Sequence, residues 1–369
     1  MWNFYLPVEL HFGEKRIADL SHIMENKGLQ NAFIICDETS VKLGLAAKIK
    51  AYAQGRVIGC FSGVNPNPTV NNIEDGLKAM RELPVESIIA LGGGSSIDCA
   101  KAIAACVKLG VTGKQLLDID RISDGLPLII IPTTAGTASE LTQGAVISDP
   151  ERDLKKALFG PGLFATVAID DPELTYSCPN FVTASSGIDV LAHALDSLTS
   201  MKTNASTIGA AVYAAKTTFQ YLERAYDDGT DTIARCHMME ACVAAGLAFS
   251  QTGTTGSHAC SYYLTSHYHM PHGEACAFTL DWWFRENAKV RPELDEYAKM
   301  MGFADADAVA ERIAEMKEHL HLRSTFGNLI HDEKEIELIA DQAMAAGNMS
   351  NNVWKATRND VIRLFRSKL

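Results

Sequence analysis

Three short runs of the chain, 31–36, 87–91 and 126–132, are apolar at almost every position and rich in isoleucine. A strand with one face in water alternates apolar and polar residues, whereas a strand covered on both faces has no reason to. Runs of this kind, separated by stretches of helical period, predict a parallel sheet with helices on its two faces. Beyond residue 178 the pattern changes. The stretches 205–226 and 232–250 carry their apolar residues at helical spacing, and strand candidates all but disappear. The chain therefore reads as two domains, an α/β domain over 1–178 and an all-helical domain over 179–369, with the boundary near 171–179. With 369 residues, each domain can build its own core. Chemistry is expected in the crevice between them.

Composition narrows the class. Apolar residues make up 47% and charged residues 21%, as in ordinary globular domains. The formal net charge of −12 repels nucleic acid and anionic membranes and leaves a small molecule as the expected partner. The first residues have neither the basic start nor the apolar run of a secretion signal, and no apolar run approaches membrane-spanning length, so a cytoplasmic protein is expected. The nine cysteines show no C-x-x-C spacing; they are expected to be buried and reduced, with no catalytic role.

Gly92, Gly93 and Gly94 follow one buried run and lead into a helical stretch at 100–107. A strand, a glycine turn and a helix start make an anion site, because the bare backbone can approach a pyrophosphate whose charge meets free N–H groups. The competing reading is a tight turn with Ser95 as N-cap and Asp98 closing a capping box. The spacing is not the G-x-G-x-x-G fingerprint of the usual dinucleotide fold. Asp37 follows another buried run; it suits the ribose hydroxyls of NAD and disfavours a 2′-phosphate, though it also suits an N-cap. A third polar turn at 132–140 holds Thr133, Thr134, Thr137 and Ser139, suited to a nucleotide's phosphate or amide, or to satisfying itself.

Asp189 and His193 stand four apart in an otherwise apolar helical stretch, so they share a face. Alone, the pair could be the wet stripe of an amphipathic helix. Downstream, His258, His267, His269 and His272 concentrate four of the chain's eleven histidines. Imidazoles with a carboxylate suit a divalent metal such as Fe(II) or Zn(II), with no thiolate to select zinc. Gly273 would let the backbone turn closely around such a site.

Taken together, the loop G-G-G-S-x-x-D-x-A-K at 92–101, the turn P-T-T-x-G-T-x-S-E at 132–140, the pair G-x-D-x-x-x-H-A at 187–194 and the P-H-G at 271–273 resemble the iron-containing alcohol dehydrogenase family. The resemblance covers nearly the whole chain. It implies a dehydroquinate synthase-like fold, with an N-terminal parallel-sheet dinucleotide-binding domain and a C-terminal helical metal-binding domain. Carried over by motif, it implies Asp189, His193, His258 and His272 as ligands of one divalent metal, with Fe(II) expected ahead of Zn(II). It places Asp37, Asn67, Gly93, Gly94, Ser95, Asp98, Thr133, Thr134, Thr137, Val146 and Lys155 toward the cofactor, NAD being expected ahead of NADP; Lys156 adjoins Lys155.

One position departs from the pattern. Where many members have a second histidine four residues after the third ligand, this chain has Tyr262, so a proton relay would fall to Tyr262, His267 or water. The implied reaction is hydride exchange between the cofactor and a small alcohol or aldehyde, the metal acting as Lewis acid on the substrate oxygen, in a homo-oligomer, a dimer being expected. Features at the start and near 261–280 also resemble the phosphonoacetaldehyde reductase branch of the family. A non-redox lyase of dehydroquinate synthase type is the competing chemistry.

Overall fold

The computed structural model describes residues 1–152, 154–330 and 333–369. Among the described residues eight strands form: β1 Glu9–Phe12, β2 Ala32–Cys36, β3 Val57–Phe61, β4 Ser87–Gly92, β5 Leu128–Pro132, β6 Gly144–Asp149, β7 Leu154–Phe159 and β8 Val167–Asp170. Six of them make one parallel sheet in the order β1-β8-β5-β4-β2-β3, while β6 and β7 pair as an antiparallel hairpin.

The apolar runs are explained by burial on both faces. Ile88 and Ala90 of β4 point into one core with Ile130 and the helix Gly94–Leu109. Ile89 and Leu91 point into the other, with Ile129, Ile131 and the helices Leu20–Asn26 and Leu45–Tyr52. Each residue from Ile88 to Leu91 is thus a core residue on one side or the other, and alternation has nothing to select.

The strand order carries a functional consequence. The chain leaves β2 outward to β3, then crosses back past β2 to β4 and continues the other way to β5. The carboxyl ends of β2 and β4 therefore flank a topological switch point, where open parallel sheets bind ligands.

The second compact unit comprises Ser177–Leu369 together with Met1–Tyr5 and Ala135–Thr137; the first is Leu6–Thr134 with Ala138–Tyr176. Both short pieces of the helical unit are tied by named bonds. Tyr5 N–H donates to Gln251 Oε1 and Gln251 Nε2 donates to the Tyr5 carbonyl, each at 3.0 Å. Gly136 N–H donates to Cys242 Sγ at 3.1 Å. A boundary drawn at residue 178 does not anticipate either piece, because neither announces itself by periodicity.

The long helices Asn180–Thr199, Ala205–Asp227, Thr232–Thr252, Gly256–His267 and His272–Ala288 dominate this unit. Among the described residues its only β pairing is an isolated bridge between Ser200 and Asn352. No described helix is long and apolar enough to cross a membrane. The described cysteines are all free thiols; six are buried, but Cys60 is exposed and Cys178 and Cys236 are partly exposed, which corrects the expectation that all are buried.

Candidate active site

In the α/β unit the polar residues at the switch point converge. Cys36 of β2 pairs with Leu91 of β4, which sets Asp37 beside Gly92. Gly92 has φ +141°, and a Cβ there would lie 2.6 Å from Ser96 Oγ and 3.1 Å from Asp37 Oδ2. The loop is thus glycine for two reasons, backbone conformation and lack of room. The N-cap of the helix Gly94–Leu109 is Gly93, without a side-chain cap, so the Ser95 capping reading does not hold and the first N–H groups remain free for an anion. Asp37 accepts from Ser40 N–H at 2.7 Å as N-cap of Glu38–Lys42, and its other oxygen accepts from Ser96 Oγ at 3.3 Å. Capping and proximity to the glycine loop coexist.

Around this loop, Asn67 holds φ +55° and its N–H donates to Ser95 Oγ at 3.2 Å. Lys155 Nζ lies 3.4 Å from Asn67 Oδ1, whereas Lys156 Nζ donates to the Leu117 carbonyl at 2.6 Å. The hairpin sends the two lysines to opposite sides, and only Lys155 meets the expected group. Thr133 N–H donates to the Gly92 carbonyl, and a Cβ on Gly93 would lie 3.3 Å from Thr134 Oγ1. Thr137 belongs to the other unit.

Asp98 accepts from Ser139 Oγ at 2.8 Å and from Val146 N–H at 2.9 Å; burial pushes its carboxyl up. Both oxygens are spent within the protein, so Asp98 and the Val146 amide brace the loop. The same role falls to Lys101, which closes the glycine-loop motif but was given no role there. Its buried ammonium donates to the carbonyls of Ser139 (2.6 Å), Thr142 (2.9 Å) and Gly144 (2.9 Å). Burial pushes this lysine down to about 8, against the pull of Asp98 and Glu140.

In the helical unit the wet-stripe reading of Asp189 and His193 fails, since they are 2% and 4% exposed, as buried as the leucines beside them. Asp189 Oδ2 lies 3.8 Å from His193 Nδ1, and Asp189 Oδ1 lies 3.8 Å from His258 Nε2. These spacings are too long for hydrogen bonds. His258 is also 4% exposed, and its ring lies 4.6 Å from that of His193 and 5.6 Å from that of His272. His193 is stacked on Phe249, ring centres 4.1 Å apart.

Three buried polar atoms here, Asp189 Oδ1, His193 Nδ1 and His258 Nε2, have no hydrogen-bond partner. Unpaired buried polar atoms are rare and costly, and Asp189 Oδ1 and His258 Nε2, 3.8 Å apart, call for something that binds both; His193 flanks them, outside the set of ligand atoms of Asp189, His258 and His272 that lie within 4.8 Å of one another. Separations near 3.8 Å suit atoms that share a metal at about 2.0–2.2 Å each. The donor set of carboxylate and imidazoles fits a divalent transition metal.

Electrostatics differ between the two histidines. Burial pushes the Asp189 carboxyl up to about 6 and drives His193 well below the ordinary histidine range, with His258 and His272 adding to the effect. His193 is thereby a neutral acceptor, the form in which imidazole ligates. Burial also works against a charge on His258, but Cys276 and Asp196 outweigh it and hold this histidine high.

Asp196 was not among the expected residues. It lies seven positions after Asp189 on the same helix face and accepts from His258 Nδ1 at 2.8 Å, from Thr255 N–H at 2.7 Å and from Ser257 Oγ at 2.8 Å. Its carboxylate holds the His258 proton at Nδ1 and so aims Nε2 at Asp189. The signal was present as a third polar residue in the stripe 189, 193, 196. Cys276 is the second omission: its sulfur and the ligand atoms of Asp189, His258 and His272 all lie within 4.8 Å of one another. The expectation of no thiol at the site is therefore corrected.

Gly273 also has its reason here. A Cβ on it would lie 1.8 Å from the Ser185 carbonyl oxygen and 2.7 Å from Asp189 Cβ, so glycine serves close helix approach, not a turn.

Of the two relay candidates, Tyr262 stands one turn after His258; its hydroxyl accepts from Asn348 Nδ2 at 2.7 Å, and the same nitrogen donates to Thr254 Oγ1 at 3.0 Å. Burial pushes its phenol up, so it keeps its proton. His267 is not brought to the site. It is exposed at the far end of that helix, stacked on Tyr263 at 3.9 Å, and about 13 Å of helical rise separates it from His258.

Comparison with known proteins accords with this geometry. Residues 7–172 match the iron-containing alcohol dehydrogenase family and residues 183–369 match its C-terminal domain. Alcohol dehydrogenase 4 of Schizosaccharomyces pombe is 32% identical, over 99% of this chain and 89% of its own. The 1-propanol dehydrogenase of Salmonella typhimurium is 35% identical over 84% of this chain and 80% of its own. The crystal structure of sulfoacetaldehyde reductase from Bifidobacterium kashiwanohense, in complex with NAD+, superposes with a TM-score of 0.95 at 33% identity, covering 100% of this chain and 98% of that one. With both units matched along their length, the chain belongs to the iron-containing alcohol dehydrogenase family, enzymes that are oxidoreductases.

Proposed function

We propose that the chain interconverts a small alcohol and its aldehyde with NAD, using one divalent metal, iron ahead of zinc, held by Asp189, His193, His258 and His272. The observation that carries this reading is the gathering of ligand atoms of Asp189, His258 and His272 within 4.8 Å of one another, with unpaired buried atoms on Asp189, on His258 and on the flanking His193. When bound, the metal would supply Lewis-acid stabilisation of charge on the substrate oxygen and the nicotinamide would supply the hydride carrier. The rest is the work of the chain. Asp196 fixes the tautomer of His258, the glycine loop and the start of Gly94–Leu109 hold pyrophosphate, and Asp37 accepts from the adenosine ribose. The Tyr262 phenol, held by Asn348, supplies the proton to the nascent alkoxide in aldehyde reduction and takes it back in oxidation. Metal-loaded protein should oxidise NADH with short-chain aldehydes, at rates that vanish on chelation and return on adding Fe(II). Metal-independent turnover would sink the reading.

A second reading of substrate is an aldehyde carrying an anionic group, supported by the likeness to the sulfoacetaldehyde reductase. Comparing kcat/KM for propanal with that for sulfoacetaldehyde and phosphonoacetaldehyde decides between them. The same reading makes the enzyme a cytoplasmic homodimer, which light scattering on the purified chain tests.

Three substitutions probe individual roles. Asp37→Ser keeps a capping oxygen while removing the charge that opposes a 2′-phosphate. The NADP-to-NAD ratio of kcat/KM should rise about tenfold (about 1.4 kcal/mol) with stability nearly unchanged; an unchanged ratio would remove Asp37 from the ribose site. Asp196→Asn should weaken metal binding by about tenfold or more in a chelator competition, because the anionic partner of His258 is lost; equal affinity would show that Asp196 is only a packing residue. Tyr262→Phe should lower kcat for aldehyde reduction by about a hundredfold with KM little changed; a wild-type kcat would pass the relay to water.

A further inference from the structure

The helix His272–Ala288 presents Cys276 one turn after His272, on the same face, and fully buried. Its sulfur is 3.7 Å from His272 Nε2 and 4.0 Å from Nδ1. It shares with Asp189, His258 and His272 a set of ligand atoms all within 4.8 Å, and the unpaired Asp189 Oδ1 and His258 Nε2 belong to the same group. A thiol kept only for packing would face apolar side chains, whereas this one faces carboxylate and imidazole. A metal–sulfur bond of about 2.3 Å is also longer than a metal–nitrogen bond, which suits a ligand set back along its helix.

We propose that Cys276 is a further ligand of the metal site, converting a nitrogen and oxygen site into a nitrogen, oxygen and sulfur site. The proposal rests on the metal reading above. On coordination a sulfur–metal bond forms and the thiol proton leaves to solvent, with no change of oxidation state. A thiolate in the set raises affinity for zinc, cobalt and iron over the hard cations magnesium and calcium.

The test is the cobalt-substituted full-length protein. Wild type should bind one Co(II) per chain and show a sulfur-to-cobalt charge-transfer band in the near ultraviolet. Cys276→Ser should bind one Co(II), keep the visible ligand-field bands and lose the charge-transfer band, with Zn(II) affinity lower by about tenfold. Cys276→Ala guards against a serine-specific effect and should also lack the band. A full cobalt complement in wild type without the band, or a band that survives in both variants, overturns the proposal alone. Failure of the wild type to take up cobalt, iron or zinc at all overturns the metal reading, and the proposal with it.

Discussion

Asp189→Ala is expected to lower turnover by about a thousandfold or more, equivalent to about 4 kcal/mol of transition-state stabilisation, with no metal retained after gel filtration. Asp189 is the hub of the site, since its two oxygens face His193 and His258 at 3.8 Å each. No lysine or arginine pairs with it among the described ion pairs, and its burial in the metal-free chain is a cost. Two stability results follow. In the presence of a chelator the variant should melt no lower than wild type, because a buried carboxyl with one unpaired oxygen has been removed. With saturating metal the wild type should gain several degrees and the variant none, since a ligand bound only by the folded state stabilises it. Metal content, kcat and melting curves with and without chelator check these expectations together. A variant that keeps its metal, or turns over without one, would remove Asp189 from the site.

The second large effect is expected at Gly273→Ala, through geometry alone. The added Cβ meets the Ser185 carbonyl oxygen at 1.8 Å, and a backbone atom inside a helix cannot rotate aside as a side chain can. The helices Asn180–Thr199 and His272–Ala288 would have to separate, at a cost of about 3 kcal/mol, the upper end for overpacking. Because these helices carry Asp189, His193 and His272, the same separation disperses the metal ligands, and activity should fall with stability. Gly209→Ala is the control: that glycine is exposed in the helix Ala205–Asp227 with nothing within 4 Å of a Cβ, and alanine there should stabilise by about 0.5–1 kcal/mol. Urea unfolding and metal titration of both variants provide the measurement. A Gly273→Ala protein as stable as wild type would mean that the two helices are less closely packed than described.

Much of this architecture was legible in the chain because the relevant physics is local. The apolar runs of β2, β4 and β5 announce burial on both faces. The i, i+4 spacing of Asp189 and His193 follows from helical period, whereas Gly273 was expected to serve a close turn and serves helix approach instead. What the period did not say was that the stripe continues to Asp196, since a lone aspartate in an apolar helix reads as noise until His258 is found 2.8 Å away. Cys276 was passed over for a similar reason. A cysteine four residues after a histidine is compatible with any buried helix, and only the approach of a second and third helix turns the thiol toward a carboxylate.

The histidine-rich stretch shows the same division. Composition marks 258–272 as unusual but does not choose among His258, His267, His269 and His272. Family resemblance chose His258 and His272, and the fold places His267 at an exposed helix end and His269 in a left-handed turn with φ +51°. For the lysines, adjacency in sequence means opposite sides of a hairpin, and it took the pairing of Ser148 with Lys155 to say which one meets Asn67.

By itself the sequence determined what depends on neighbours along the chain: the buried strands β2, β4 and β5, the long helices, the glycine turn, the carboxylate and imidazole pair on one helical face, and the two-part layout. The tertiary structure decided what depends on neighbours across it. Asp37 lies beside the glycine loop because β2 and β4 pair in parallel at the switch of the sheet, though 55 residues of chain separate Asp37 from Gly92. Asp196 meets His258, and Cys276 meets Asp189, His258 and His272, because separate helices bring them to one buried point. Spacing along a helix can aim two side chains together, but a site of four or five donors is assembled by packing, and packing is a property of the folded chain.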